Sequence, residues 1–289
     1  MGGVAEANAE AVEAWNGVLF DRFVQFRHVM TTGLGMHGDA AMRVHPPAPG
    51  DRVLDIGCGF GDTTQQLGAL VGPEGSAVGV DAAERFVELA AAEADEAGVD
   101  NVRFLAADVQ TTRFEDRFDY AFSRFGTMFF AAPVPALRNV REALEPGGQL
   151  VMVVWRNKLD NPWMHNAELL VERYVEHNDE SDEPTCGPGP FSMANADTTS
   201  GVLDAAGFTD IVLQRCDLDI LVGRSVEEAV DLVMALGPAA ELLRLAGDKA
   251  DHLRPQLQQQ LTELVSGYAT ADDGVRARAS SWIISATAP

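Results

Sequence analysis

Arg52-Val53-Leu54-Asp55-Ile56-Gly57-Cys58-Gly59-Phe60-Gly61-Asp62 is a short apolar run that ends in three glycines at alternate positions and passes into a segment of helical composition. An apolar run of that length, bounded by Gly, reads as a parallel strand buried on both faces. Glycines directly after it let the backbone turn sharply and approach a ligand closely, because no Cβ intervenes. The helix that follows points its free N–H groups into the crevice. The stretch is a nucleotide-type binding loop at the head of an α/β unit.

Spacing selects among nucleotides. The dinucleotide fingerprint Gly-x-Gly-x-x-Gly would place its third glycine at position 62. That position holds Asp62, and the third glycine falls one residue earlier at Gly61. A carboxylate there would face the pyrophosphate of NAD, a like-charge pairing. The run Leu54-Asp55-Ile56-Gly57-Cys58-Gly59-x-Gly61 instead resembles the first motif of the class I S-adenosylmethionine-dependent methyltransferases. Their ligand has no phosphate, and the ammonium at its methionine end tolerates acidic neighbours.

Further positions fit the same resemblance. Ala77–Asp81 reads as a second strand closing on an acid. In related folds a carboxylate about 20 residues beyond the glycines accepts hydrogen bonds from ribose hydroxyls, and the resemblance gives Asp81 that role. Asp81 would also suit the N-cap of a helix opening at Ala82, with Glu84 in its first turn. Val102–Val109 reads as a third strand ending in Asp108. The resemblance implies that Asp108 receives the adenine amino group and that Val109 packs or bonds beside the ring. Leu144-Glu145-Pro146-Gly147-Gly148 resembles the family's turn from a helix into the fifth strand. The cofactor contacts implied are Asp55, Gly57, Cys58, Gly59, Gly61, Asp81, Ala82, Asp108, Val109 and Ser123. Cys58 reads as a small packing residue, since no activating partner lies nearby in sequence.

The rest of the chain reads as a frame for this loop. From 52 to 155 strands and helices alternate, the pattern of a parallel sheet covered on both faces. The fourth strand reads Phe118–Phe122 and the fifth Gln149–Trp155. The expected fold class is α/β: a Rossmann-like, seven-stranded, mostly parallel sheet with helices on both faces and a helical cap. Residues 1–49 are expected to form an N-terminal helical cap segment. Its helical stretch, 5–30, spaces Trp15, Leu19, Phe20, Phe23 and Phe26 to share a face. Residues 50–289 form the cofactor-binding domain, with cap insertions near 160–190 and 225–268. Within them, a helix near Trp163–His177 precedes an acidic, Gly- and Pro-rich loop from Asp179 to Pro190, either a lid edge or a surface connection. A helix from about Asp197 ends at Gly207, which suits C′. Thr209–Leu218 alternates as a sixth strand, Ser225-Val226-Glu227-Glu228 forms a capping box opening a helical tract to about Tyr268, and Ala279–Thr287 reads as the last strand.

Composition narrows the partners. A net charge of −23 over 289 residues repels phosphate backbones and anionic lipid surfaces, so neither nucleic acid nor membrane is an expected partner. No apolar run approaches the ~18 residues that span a bilayer. Met1 to Glu10 has neither the basic start nor the apolar stretch of a signal peptide. Cys58, Cys186 and Cys216 have no metal or disulfide spacing. A cytoplasmic, reduced monomer or homodimer acting on a small molecule is expected, with no metal.

Methyl transfer from a sulfonium needs in-line alignment and exclusion of water more than it needs a strong acid or base. Phe20, Phe125, Phe129, Phe130 and Trp163 are the aromatic faces available to a sulfonium. Arg124, in Ser123-Arg124-Phe125-Gly126 after the fourth strand, orients an anionic acceptor or the cofactor carboxylate, or pairs with a neighbouring acid. Arg27 is the alternative for the carboxylate. His37, in the loop-like Gly35-Met36-His37-Gly38, and His165, near the start of the first cap helix, are the candidate bases. The place after the fourth strand lacks the Asn/Asp-Pro-Pro-Tyr-like motif of enzymes that methylate nucleic-acid bases or protein amides. The chain most resembles bacterial small-molecule methyltransferases of the kind that includes ubiquinone and menaquinone biosynthesis enzymes, specifically over 50–155. That implies transfer to oxygen, nitrogen or carbon of a small molecule. The alternatives are a protein of the same fold that binds the cofactor without methylating, such as a regulator or cyclase, and a nicotinamide oxidoreductase.

Overall fold

The computed structural model describes residues 8–175, 189–270 and 274–289. Cys186, His177 and nearly all of the acidic 179–190 loop lie outside the described residues. The described residues open with α1 (Ala9–Asn16) and α2 (Val18–Gln25), separated at Gly17, then a π-helical turn (Val29–Gly33) and α3 (Gly35–Val44). Next come β1 (Arg52–Ile56), α4 (Asp62–Val71), β2 (Ser76–Asp81), α5 (Glu84–Ala97), β3 (Val102–Ala106), β4 (Phe118–Arg124), α6 (Pro133–Ala143) and β5 (Leu144–Trp155). The second half contains α7 (Pro162–Glu172), α8 (Ala196–Ala206), β6 (Thr209–Gly223), α9 (Val226–Ala235), α10 (Pro238–Ala246), α11 (Asp248–Ser266) and β7 (Val275–Thr287).

The strands form one seven-stranded sheet in the order β3-β2-β1-β4-β5-β7-β6. Pairings from β3 to β5 are parallel, and β7 runs antiparallel to both β5 and β6. The central strands are buried on both faces, so they read as continuous apolar runs. Val53, Tyr120, Phe122, Val151 and Val153 pack under α3 and α4. The alternate residues Leu54, Ile56, Ala121, Leu150, Met152 and Val154 face the cluster that contains Leu137 of α6 and Leu203 of α8. Strand order reverses between β1 and β4, and ligands of open α/β sheets bind beyond the carboxyl ends of the strands at such a point.

Several expectations shift in detail. His37 lies within α3 rather than in a loop: Gly35 and Gly38 serve there as flat surfaces against the Arg124 side chain, where a Cβ on Gly38 would stand 3.0 Å from Arg124 Cδ. The helix after β2 opens at Glu84, not Ala82, because Ala83 is still extended and takes the N-cap position. The tract from 225 is three helices, broken at Gly237 (φ 92°) before Pro238 and at Gly247 (φ 55°). Ser225 does cap α9, accepting from Glu228 N at 3.1 Å, and Gly207 ends α8 with φ 91°. β6 and β7 are longer than their alternating cores because each extends the other's ladder from Thr209 to Gly223.

Candidate active site

The glycine loop is stitched to the neighbouring strand: Gly57 N and Cys58 N both donate to Val80 O, at 2.8 and 3.1 Å. Its three glycines all have positive φ, 69°, 51° and 76° in turn, yet they do different work. A Cβ on Gly57 would stand 2.9 Å from Gly126 Cα, so this position lets the β1 and β4 turns touch at the reversal point. A Cβ on Gly61 would strike Phe104 Cε1 at 2.7 Å and Ala90 Cβ at 2.8 Å. A Cβ on Gly59 would meet nothing within 4 Å. Two glycines are demanded by packing; the middle one borders open space.

Asp81 closes the loop from the other side. Its Oδ2 accepts from Gly59 N at 3.0 Å and its Oδ1 from Ala83 N at 2.9 Å. It thus holds the loop to β2 and to Ala83, the residue that leads into α5, and the carboxylate keeps acceptor capacity for a ligand hydroxyl. Burial pushes this carboxyl up, against the opposing pull of the Ala83 and Gly59 amides.

Asp55, 1% exposed, accepts from Thr64 Oγ1 at 2.6 Å through Oδ2, while Oδ1 has no partner. Burial pushes its carboxyl up to about 7, with the Thr64 hydrogen bond and Arg124 opposing. The folded chain therefore keeps a proton on Asp55 that the unfolded chain has lost, between about pH 4 and 7, and stability falls as pH rises through that window. Asp55→Asn is expected to melt like the parent at pH 4 and to be more stable at pH 8, by up to about 4 kcal/mol for a shift of this size. Thermal melts of both proteins at the two pH values check this.

At the end of β3, Asp108 is 3% exposed. Its Oδ1 accepts from Gln110 N at 2.9 Å and its Oδ2 from Asn8 Nδ2 at 3.2 Å. Val109 is buried, and its carbonyl accepts from Asn139 at 2.6 Å. Ser123 is also buried, its hydroxyl donating to Ile56 O at 2.8 Å and so tying β4 to β1. Cys58 is buried beside these acids; burial pushes its thiol well up, as suits a packing residue.

The candidate catalytic residues divide. The Arg124 guanidinium grips Asp62, the first residue of α4, with two hydrogen bonds of 2.8 and 3.1 Å. Beside it Phe125 has φ 58°, an unfavourable region for a bulky side chain, and stacks on Trp155 at 4.3 Å between centroids. His37 sets its ring edge-to-face against both, 5.8 Å from each. It is fully buried, its Nδ1 lies 2.8 Å from Ser281 Oγ, and its Nε2 has no partner. Burial lowers it to about 4, so it is neutral at pH 7. The structure therefore brings His37, Arg124 and Phe125 together. It sets His165 elsewhere, on α7 and 3.9 Å from Glu168, which also binds Lys158. Arg27 pairs with Glu93 and lies over the Phe60 ring at 4.7 Å.

Sequence reading overlooked Trp155, Asp62 as the partner of Arg124, and Asn8. For Trp155 the signal was available: it is the last residue of a buried strand at the same edge as the loop. Asn8 gave none. Among the described residues no three His, Cys, Asp or Glu side chains gather as a metal would require, and no helix is long and apolar enough to cross a membrane.

Comparison with known proteins gives three kinds of match. A family model described as a methyltransferase domain covers residues 47–201. The chain is 33% identical over 114 residues to aklanonic acid methyltransferase DauC of Streptomyces sp. (strain C5), covering 39% of this chain and 52% of that protein. It is 35% identical over 103 residues to the demethylmenaquinone methyltransferase of Staphylococcus aureus (strain JH9), covering 35% of this chain and 42% of that protein. The matches thus span about half the length of these curated relatives, or less. Among solved structures, the (4+2)-cyclase SpnF superposes with a TM-score of 0.58 at 18% identity, over 100% of this chain and 99% of that one, which shows a shared fold.

Proposed function

Because the chain belongs to the methyltransferase-domain family, whose model covers more than half of it, we propose that it transfers a methyl group from S-adenosylmethionine to a small-molecule acceptor. The observation that carries this reading is the loop itself: Gly59 borders open space while its N–H holds Asp81, whose oxygens retain lone pairs at the mouth of the crevice. The residues present suit the cofactor. Asp81 would accept the ribose hydroxyls, Asp108 the adenine amino group, and Val109 would pack against the ring. The unpartnered Oδ1 of Asp55 is a hydrogen-bond acceptor behind the loop.

When bound, the cofactor supplies an electrophilic methyl group whose carbon–sulfur bond breaks as the acceptor's lone pair bonds to the carbon. The chain's own part is alignment and exclusion of water. Phe125 and Trp155, stacked on each other at the ends of β4 and β5, are proposed to wall the crevice. Arg124, neutralised by Asp62, holds the β4 turn against α4 and adds little net positive charge beside a sulfonium. His37, neutral and without a partner at Nε2, is proposed to take a proton from an acceptor that reaches it; His165 is the weaker candidate. The aromatic surroundings favour a largely apolar acceptor. The two curated relatives, named for aklanonic acid and demethylmenaquinone, are consistent with that class. The N-terminal segment 1–49 and the helices near 160–190 and 225–268 are proposed to cap the site.

Calorimetry with S-adenosylhomocysteine is expected to show a single site, with no heat from NAD. Incubation with methyl-labelled cofactor and a panel of hydroxylated ring compounds is expected to move the label. Binding of NAD in place of S-adenosylhomocysteine would overturn the reading, and tight cofactor binding without label transfer to any acceptor would count against methylation.

A further inference from the structure

The N-terminal segment reaches across the whole edge assigned above to the cofactor. Asn8, only 8% exposed, donates its carboxamide N–H to Asp108. Farther along, Trp15 meets Phe23, Phe129 and Phe86 edge-to-face at 5.0, 5.1 and 6.4 Å. Phe86 in turn packs on Phe20 at 4.8 Å and on Phe60 of the glycine loop at 5.1 Å. Arg85 ties the joint between α1 and α2 to α5, donating to Asn16 O and to Asp21 at 3.0 Å each. The segment is thus fastened at both ends of the crevice, at the β3 acid and at the β1 loop.

The chemistry of the Asn8 contact is specific. A carboxamide NH2 and an aromatic exocyclic amine are the same kind of donor, and one carboxylate oxygen of Asp108 is already taken by Gln110 N. Resting on the functional reading above, we propose that Asn8 is an internal stand-in for the adenine amino group. The N-terminal helices then form a latch that must leave Asp108 before the cofactor can seat. Cofactor uptake is coupled to release of Asn8, and the aromatic cluster around Trp15 moves with it.

The test uses the full chain with S-adenosylhomocysteine as probe, following affinity by calorimetry and uptake by stopped-flow tryptophan emission. Trp15→Phe identifies which part of the signal belongs to Trp15. Asn8→Ala removes the stand-in, and Asn8→Asp opposes Asp108 with a like charge. Both are expected to bind the probe about tenfold more tightly and faster than the parent, the scale of a lost hydrogen bond to a charged group. Parent binding is expected to change Trp15 emission. Unchanged or weaker binding by both variants overturns the latch; in particular, weaker binding would make Asn8 a cofactor contact in the closed state. If neither parent nor variants bind the probe while all remain folded, the functional reading itself fails, and the latch with it.

Discussion

Gly57→Ala is expected to lower stability by about 2–5 kcal/mol, adding the cost of a left-handed backbone for an L-residue to that of overpacking. The residue sits at φ 69°, and its new Cβ would press on Gly126 Cα at 2.9 Å. That contact is backbone against backbone, and the β1 and β4 turns cannot part without opening the ladder between Val53–Asp55 and Tyr120–Phe122. For a chain of 289 residues the melting temperature should fall by about 3–8 °C. Gly59→Ala provides the contrast. Its φ of 51° carries similar backbone strain, but the added methyl meets nothing within 4 Å. It should fold with a loss of only about 1–2 kcal/mol and fail instead in binding, since the methyl enters the space proposed for the cofactor. Thermal melts and calorimetry with S-adenosylhomocysteine on both variants separate the two losses. Equal behaviour of the pair would refute the division of labour among the glycines.

Asp81→Ala should be as severe in binding. It leaves Gly59 N and Ala83 N without their acceptor, at about 1–3 kcal/mol for each donor left unsatisfied. It also deletes the proposed ribose acceptor, so affinity for S-adenosylhomocysteine should fall more than about 100-fold, the equivalent of two charge-assisted hydrogen bonds. Asp81→Asn is the discriminating change. Asparagine keeps one acceptor oxygen, so it can hold either Gly59 N or Ala83 N but turns its own NH2 toward the other. A residue that also receives two hydroxyls loses one acceptor oxygen and gains a misplaced donor. The expected result is a stability loss of about 1–3 kcal/mol, smaller than that of Asp81→Ala, with binding weakened by about tenfold. Parent-like affinity in Asp81→Asn would reduce Asp81 to a structural tie between the loop and β2.

The strand edge proposed for the cofactor was legible because strands carry their meaning locally. An apolar run long enough to cross a sheet delivers its last residue to the carboxyl edge, whatever packs around it. Leu54–Gly61, Ala77–Asp81 and Val102–Asp108 therefore revealed both their strands and their place at the carboxyl edge of the sheet. The helical tract after Ser225 was legible in composition, but its breaks at Gly237 and Gly247 were not weighed, although glycine at positive φ is the usual means of such breaks. His37 misled for a related reason. Flanking glycines suggested a loop, whereas they are small because the Arg124 side chain lies against the helix.

The amino-acid sequence by itself determined the strands from β1 to β5, the glycine loop and the acids that close β2 and β3, and with them the kind of ligand the edge suits. Tertiary structure alone decided that Arg124 would meet Asp62, that His37 would be buried against Phe125, Trp155 and Ser281, and that Asn8 would reach Asp108. Each of those pairs joins segments far apart in the chain. No periodicity or spacing encodes them, because they arise only when helices settle on a finished sheet and each polar group takes whatever partner burial has left within reach.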